Sequence, residues 1–487
     1  MKTEGKRSKR ASVSFPAHVY QALENIANEK RVSLAWVVRD ATERYIADKE
    51  PLLRYMKEQM KKKGNQSRRE SGLDSDRRSP EATRENQFTT VDLFCGAGGI
   101  TEGFRQAGYR CLYGNDCMPE AIETFSYNHP EAWCDDRDIA EIDAASVRER
   151  LALRKGDLDV LVGGPPCQGF SINAPERFLH DPRNRLFKDY LRFVEELEPK
   201  TFLFENVPGL LSLAEGRIFD QIMREFRSLG YIVTAKILFA AHYGVPQERW
   251  RLILVGSRFS QIQVPKPTHY ATGRANFRGG KTLTYQLSEN DKTILEPFVS
   301  VSEAIEDLPK LCMGEGGEIV RYDQAAQSRY AKCMRNPEGF TYNHFAARLS
   351  KQNRERMKYV KPGGSWRDIP EDLLPKGMQR ARKSDHTKRY GRLRHKGLAG
   401  TVMTKCDPHW GAVFLPDQDR SLTVREAARF QSFPDTYRFL GSRVAQYEQV
   451  GNAVPVLMAK AIALEIGLYL RNILEHKNSE SSLWPQG

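Results

Sequence analysis

Between residues 89 and 107 the chain reads as a strand, a glycine turn and a helix in immediate succession, and no other segment limits the fold so strongly. Thr89-Thr90-Val91-Asp92-Leu93-Phe94 has the β-branched and apolar composition of a strand. It runs straight into Cys95-Gly96-Ala97-Gly98-Gly99, after which Ile100, Phe104 and Ala107 recur at helical spacing until Gly108 ends the pattern. Glycines let the backbone turn sharply and let another molecule come close, while the helix start offers free amides to a nucleotide-like group. The dinucleotide fingerprint is incomplete, because Thr101 stands where its third glycine would be. A second apolar run, Cys111-Leu112-Tyr113, leads to Asp116, about 20 residues on, the separation at which an acid reaches ribose hydroxyls. Asp138, followed by Ile139, suits an adenine amino group and a hydrophobic face. These features predict an α/β fold, a doubly wound and mostly parallel sheet, with an adenosine pocket at its edge. They leave open which adenosine cofactor fills it.

Further strands bring chemistry to the same edge. Leu158-Asp159-Val160-Leu161-Val162 reads as a buried strand, followed by Gly163-Gly164-Pro165-Pro166-Cys167-Gln168. Two prolines exclude regular helix, so Cys167 is expected on a stiff loop at a strand's carboxyl end. There it reads as a nucleophile or, equally, as a buried and inert thiol. Thr201-Phe202-Leu203-Phe204 delivers Glu205 and Asn206 at another strand end, where a carboxyl can hydrogen-bond or protonate a substrate. Gln247, Arg249 and Arg251 alternate, so period-2 spacing sends them to one face of a strand start, aimed at a phosphate or a base carbonyl. The plainer readings are an ion-paired acid and a solvated strand edge.

Composition favours a polyanionic partner: 75 Lys and Arg against 62 Asp and Glu give a net charge of +13. The 8 cysteines occur singly, without a C-x-x-C pair or clustered histidines, so no metal site is expected and reduced thiols in a cytosol fit. No apolar run is expected to approach the roughly 18 residues of a membrane span, and the basic N-terminus lacks a hydrophobic signal core. The expected location is the cytoplasm of a bacterium, at the nucleoid.

Asp92-Leu93-Phe94-Cys95-Gly96-Ala97-Gly98-Gly99, Gly164-Pro165-Pro166-Cys167-Gln168-Gly169-Phe170-Ser171 and Glu205-Asn206-Val207 resemble signature blocks of DNA (cytosine-5) methyltransferases. So do Gln247-Glu248-Arg249-Trp250-Arg251, Arg420-Ser421-Leu422-Thr423-Val424-Arg425-Glu426-Ala427-Ala428-Arg429 and Gln449-Val450-Gly451-Asn452-Ala453-Val454-Pro455. The blocks follow family order over some four-fifths of the chain, which is far more specific than any one of them. The resemblance implies S-adenosyl-L-methionine as cofactor and double-stranded DNA as partner. It implies that Cys167 attacks C6 of cytosine and that Glu205 holds N3 and the exocyclic amine. Arg249 would contact the base O2 or position the thiolate, Arg251 would order the loop or a phosphate, and Asn206 would support the loop. Phe94, Gly96, Gly98, Gly99, Asp116, Asp138, Ile139, Pro165, Leu186, Asn452 and Val454 would line the cofactor pocket. Cys117 departs from the family pattern, which places an aromatic or large apolar side chain against adenine there. A duplex hides the C5–C6 edge, so the base must be flipped out. The stretch from Ser171 to Arg185, with Arg177 between them, suits a loop closing over DNA.

The domains are expected at 88–262 (catalytic), 263–435 (target recognition) and 436–487 (a C-terminal segment returning to the catalytic domain). In the recognition region Trp366 and Tyr390 are expected as wedges or stacking groups amid basic stretches. Residues 1–50 form a separate module. Ala11, Val13 and Phe15 alternate with Arg10, Ser12 and Ser14, and two amphipathic helices follow. This resembles a ribbon-helix-helix domain, in which two chains pair their strands and set the ribbon in the major groove. Arg10, Ser12 and Ser14 would face bases, and the chain would be a homodimer through this module. The alternative is an amphipathic hairpin packed on the rest of the chain or a partner. Residues 51–87 read as a flexible basic linker. A cognate restriction endonuclease is a possible companion. Two rival functions stay open at this point: an RNA cytosine methyltransferase, and a binding-only regulator without catalysis.

Overall fold

The computed structural model describes residues 87–166, 185–273, 283–382 and 388–481, together with residues 20, 21, 23–25 and 34. The chain divides into two units, Met1–Thr83 and Arg84–Gly487. In the first, the few described residues are helical, where the two helices of the N-terminal module were expected. Its expected strand, with Arg10, Ser12 and Ser14, lies outside the described residues.

The second unit is built on a seven-stranded sheet in the order β3-β2-β1-β4-β5-β7-β6. The strands are β1 (Thr89–Leu93), β2 (Arg110–Asn115), β3 (Trp133–Asp135), β4 (Val160–Gly163), β5 (Thr201–Asn206), β6 (Ile232–Phe239) and β7 (Trp250–Ser257). Strands β1 to β5 are parallel, whereas β7 runs antiparallel to both β5 and β6. The intervening helices are α1 (Gly99–Gln106), α2 (Pro119–Asn128), α3 (Ala144–Arg150), α4 (Arg185–Leu197) and α5 (Arg217–Ser228). The central strands β4, β5 and β7 are largely apolar because both of their faces are covered. Leu161, Phe202, Phe204, Leu252 and Leu254 face one core layer; Val160, Val162, Leu203, Ile253 and Val255 face the other. Strand order reverses between β1 and β4, so their carboxyl ends lie side by side: Leu93 pairs with Gly163. Open α/β sheets bind ligands at such a reversal.

The remaining described elements include two short strands, β8 (His269–Tyr270) and β9 (Glu296–Pro297), then α6 (Val301–Ile305), an antiparallel pair β10 (Gly316–Arg321) and β11 (Phe340–Phe345), and α7 (Arg329–Met334) between them. After α8 (Lys351–Met357) and the parallel pair β12 (Gly391–Arg392) and β13 (Ala412–Phe414), the chain returns through α9 (Val424–Phe430), α10 (Arg443–Asn452) and α11 (Val456–Ser481). Three arginines around α9 are fully buried, which requires paired charge or carbonyl partners. Arg420 holds Glu426 at 2.7 and 2.8 Å, Arg429 holds Asp435 at 2.6 and 2.7 Å and Asp307 at 3.1 Å, and Arg425 donates to the carbonyls of Tyr342 and Pro434. They weld the inserted region to the returning segment.

Two expectations are corrected here. Trp366 and Tyr390 are only 5% and 2% exposed and pack together with Met357, Val360, Met378 and Phe414. Their large apolar surfaces build the core of the inserted region, so neither is presented to a nucleic acid. The second concerns membrane-length apolar runs. Within Arg443–Glu475 an 18-residue window is apolar enough to cross a membrane, with a mean hydropathy of 1.7. That apolarity is used inside the protein: 61% of the window is buried, and α11 packs against α1.

Candidate active site

The glycine turn after β1 is shaped by three residues in the left-handed backbone region: Phe94 (φ 58°), Gly96 (φ 53°) and Gly98 (φ 85°). Phe94 does so at a steric cost that glycine escapes, a strain that concentrates at functional sites. Gly98 caps α1 without a side-chain hydrogen bond, so the first helical amides remain available. Asp116 folds back onto the turn: Gly96 N–H donates to Oδ2 at 2.9 Å, and Met118 N–H to Oδ1 at 3.0 Å. Below it, Thr101 donates to Asp92 Oδ2 at 2.6 Å, while Asp92 Oδ1 is buried without a partner. Burial raises the Asp92 carboxyl to about 7. The missing third glycine is thereby explained: Thr101 serves Asp92. Close helix packing falls instead to Gly103, where a Cβ would meet Ala459 Cβ at 2.5 Å and the Lys460 nitrogen at 2.7 Å. Gly99 faces the returning segment, with Val454 O 2.5 Å from where its Cβ would be. The first and last signature blocks therefore meet in space.

Residues expected around adenine are placed unevenly. Cys117 is exposed, and Asp138 caps a short turn by accepting from Ala140 N–H at 3.0 Å. Ile139 is buried in the core beneath them. Leu186 on α4 is partly buried, Pro165 and Val454 are buried, and Asn452 is exposed at the end of α10. The donor set fits an adenosine cofactor: backbone amides and Asp116 for hydroxyls, an open rim at Cys117, and an orphaned buried acceptor in Asp92.

The second half of the site lies one strand over. Glu205 closes β5 and pairs with Arg251 at the start of β7, Oε1 to Nε 2.6 Å. Burial pushes the Glu205 carboxyl above its usual range, although Arg251 and Arg249 both pull it down. Gly164 lies directly against this carboxylate: a Cβ there would stand 2.8 Å from Glu205 Oε2. Asn206 donates to the Pro165 carbonyl at 3.1 Å and accepts from Val207 N–H at 2.8 Å. The two residues thus grip the segment that leads into Cys167. Cys167 itself, with Ser171 and Arg177, lies outside the described residues. Arg185 begins α4, and its side chain is not described.

Gln247 and Arg249 share the expected face but are spent on joining elements. Gln247 donates to Phe430 O and Gln431 Oε1 and accepts from Val402 N–H, all within 2.9 Å. Arg249 donates to Val402 O (3.2 Å), Gly451 O (2.9 Å) and Ala453 O (3.1 Å), leaving its buried Nε unpaired. Residues 401–407 run alongside. Exposed Thr401, Met403, Lys405 and Asp407 alternate there with half-buried Val402, Thr404 and Cys406. The backbone of Met403 presses on Gly451, 2.5 Å from where a Cβ would be. Met403 (44% exposed) and Trp410 (53% exposed) are among the exposed large apolar groups of the inserted region, and neither was expected from the sequence. The alternation over 401–407 is one of exposure only; Val402-Met403 and Thr404-Lys405 break any polar–apolar period in the sequence, so no local signal marked them.

A doubly wound sheet with a glycine turn backed by Asp116, and a buried carboxyl against Gly164 one strand over, fits the class of cofactor-dependent group-transfer enzymes. The chain belongs to the C-5 cytosine-specific DNA methylase family, whose pattern it matches over residues 88–468. It is 36% identical over 424 residues to the Type II methyltransferase M.AgeI of Thalassovita gelatinovora, covering 77% of this chain and 98% of that one. To the Type II methyltransferase M.DdeI of Desulfomicrobium norvegicum it is 35% identical over 400 residues, 79% and 89% of the two chains. A crystal structure of a prophage-encoded Escherichia coli protein shares the fold, with a TM-score of 0.59, 22% identity and coverage of 79% and 100%. The enzyme is a DNA (cytosine-5-)-methyltransferase that uses S-adenosylmethionine.

Proposed function

We propose that the enzyme methylates C5 of a cytosine flipped out of a specific duplex sequence, through a covalent bond between Cys167 and C6. The observation that carries this reading is the contact between Gly164 and Glu205, three residues before Cys167. Gly164 leads into Cys167, so the segment just before the cysteine runs beside a buried carboxyl held by Arg251, which supports the reading. Cys167 as thiolate adds to C6 and moves an electron pair toward C5. Glu205, raised by burial, shares its proton with N3 and offsets the charge that develops on the ring. Bound S-adenosylmethionine would supply an electrophilic sulfonium methyl to that electron pair on C5 and be left as S-adenosylhomocysteine. Loss of the C5 proton then restores the C5–C6 double bond and expels the thiolate, with the accepting base left unassigned. Asp116 and the amides at the start of α1 orient the cofactor, with Phe94, Gly96, Gly98, Gly99, Cys117, Asp138, Ile139, Pro165, Leu186, Asn452 and Val454 around it. Arg249 fixes the walls of this cleft, while Ser171, Arg177 and Arg185 belong to the loop that closes over DNA.

The inserted region reads the target word, with exposed Met403 and Trp410 facing DNA in place of Trp366 and Tyr390. Residues 1–50 bind DNA as a dimer through Arg10, Ser12 and Ser14, and anchor the enzyme or repress its gene. The setting is a bacterial cytoplasm, at the nucleoid, alongside a cognate restriction endonuclease. Bisulfite sequencing of DNA from cells expressing the enzyme tests the reading. Protected cytosines in one sequence context are expected with the wild type and none with Cys167→Ala. Protection that survives Cys167→Ala contradicts it.

A further inference from the structure

We infer that Tyr437, from the segment returning after α9, is a positioning residue for the cofactor, because its hydroxyl holds the glycine turn in shape from below. This rests on reading that turn as the cofactor's seat. Tyr437 Oη donates to the carbonyl of Ala97, the residue before Gly98. Its single proton is used there, so the contact with His129 Nε2 at 3.1 Å requires the histidine to donate. His129 is then the Nε2–H tautomer with a bare Nδ1, and Nδ1 is indeed buried with no partner. Burial lowers His129 to about 4, which agrees with a neutral ring. The chain of donors therefore runs one way, from His129 at the end of α2 through Tyr437 to the turn.

Sterics point to the same role. Gly98 sits at φ +85°, and a Cβ there would meet Tyr437 Oη at 2.7 Å and His129 Nε2 at 3.0 Å. The pair fills the space under the turn and leaves it one height. The surrounding contacts are double. Asn128 Nδ2 donates to Arg438 O at 2.8 Å, and Arg438 N–H returns to Asn128 Oδ1 at 3.1 Å. Leu440 N–H donates to Thr124 Oγ1 at 2.8 Å, and Thr124 donates to Gln449 at 2.8 Å. Helix α2 is thus fastened along the returning segment, which keeps His129 in register with Tyr437. Gly99 meets Val454 just above, so one segment of chain touches the turn from two sides.

Tyr437→Phe keeps the ring packed between Phe433 and Phe439 and removes only the hydroxyl. One lost hydrogen bond of about 1 kcal/mol corresponds to roughly fivefold in binding. The affinity of the full-length enzyme for S-adenosylhomocysteine, by calorimetry, should therefore fall about three- to tenfold. Amide exchange over residues 95–99 should quicken, while kcat at saturating cofactor and affinity for DNA stay within about twofold. A lowered melting temperature with unchanged cofactor affinity and unchanged exchange would overturn the inference. Should Tyr437→Phe not fold, His129→Phe decides by the same two readouts, since it removes the donor behind Tyr437 and keeps a ring packed on Phe125. Asp116→Ala separates the two levels. Weakened binding there alone refutes the Tyr437 role and leaves the seat standing; unchanged binding in both variants removes the seat as well.

Discussion

Glu205 has opposing influences on its proton, and the proposed chemistry turns on their balance. Burial raises its carboxyl, and Arg251 at 2.6 Å limits the rise. Glu205→Gln cannot give up a proton and leaves Arg251 facing a neutral amide, so methyl transfer from labelled cofactor should fall by about 10²- to 10³-fold. Melting should show the protein still folded. Retention of full activity would remove Glu205 from the chemistry. Asp92 is a second buried carboxyl, with a folded value of about 7 against an ordinary 3.8. A raised carboxyl stabilises the fold while protonated, and that contribution is lost as pH rises from about 4 through 7. The urea midpoint of the wild type should therefore drop more between pH 5 and pH 8 than that of Asp92→Asn. Parallel curves would refute the assignment.

At the scale of elements, close backbone approach decides what the glycines do. Gly103→Ala would gain about 1 kcal/mol of helix propensity on α1. The added Cβ, however, would lie 2.7 Å from both Val456 O and the Lys460 nitrogen on α11, backbone atoms that cannot move aside. The net result should be destabilisation of about 1–3 kcal/mol, read from urea unfolding; a stabilised variant contradicts the packing. Gly164→Ala should instead displace the Glu205 carboxylate and lower kcat with little change in stability. The βα units, the strand ends and the positions of Glu205 and Asp116 were legible because period, glycine and strand-end polarity are local signals. Arg249 was not, since its carbonyl partners at 402, 451 and 453 lie some 150 to 200 residues away. Trp366 and Tyr390 misled for a related reason. The inserted region has little periodicity, so nothing local separates an aromatic in its core from an exposed one such as Trp410.

Across the whole molecule, charge and modularity set the behaviour. A net charge of +13 makes DNA affinity fall steeply with salt, so raising salt from 50 to 200 mM should weaken nonspecific duplex binding by orders of magnitude. Removing residues 1–50 should leave methyl transfer intact and abolish dimerisation with promoter-specific binding; loss of all transfer would contradict that division. The central claim is the bond between one sulfur and an extruded pyrimidine. Duplex DNA carrying 5-fluorocytosine at the target position, incubated with cofactor, tests it most directly, because fluorine cannot leave as a proton does. A band resistant to denaturation is expected with the wild type and absent with Cys167→Ala. Complete turnover of target sites without any such band would contradict the covalent mechanism.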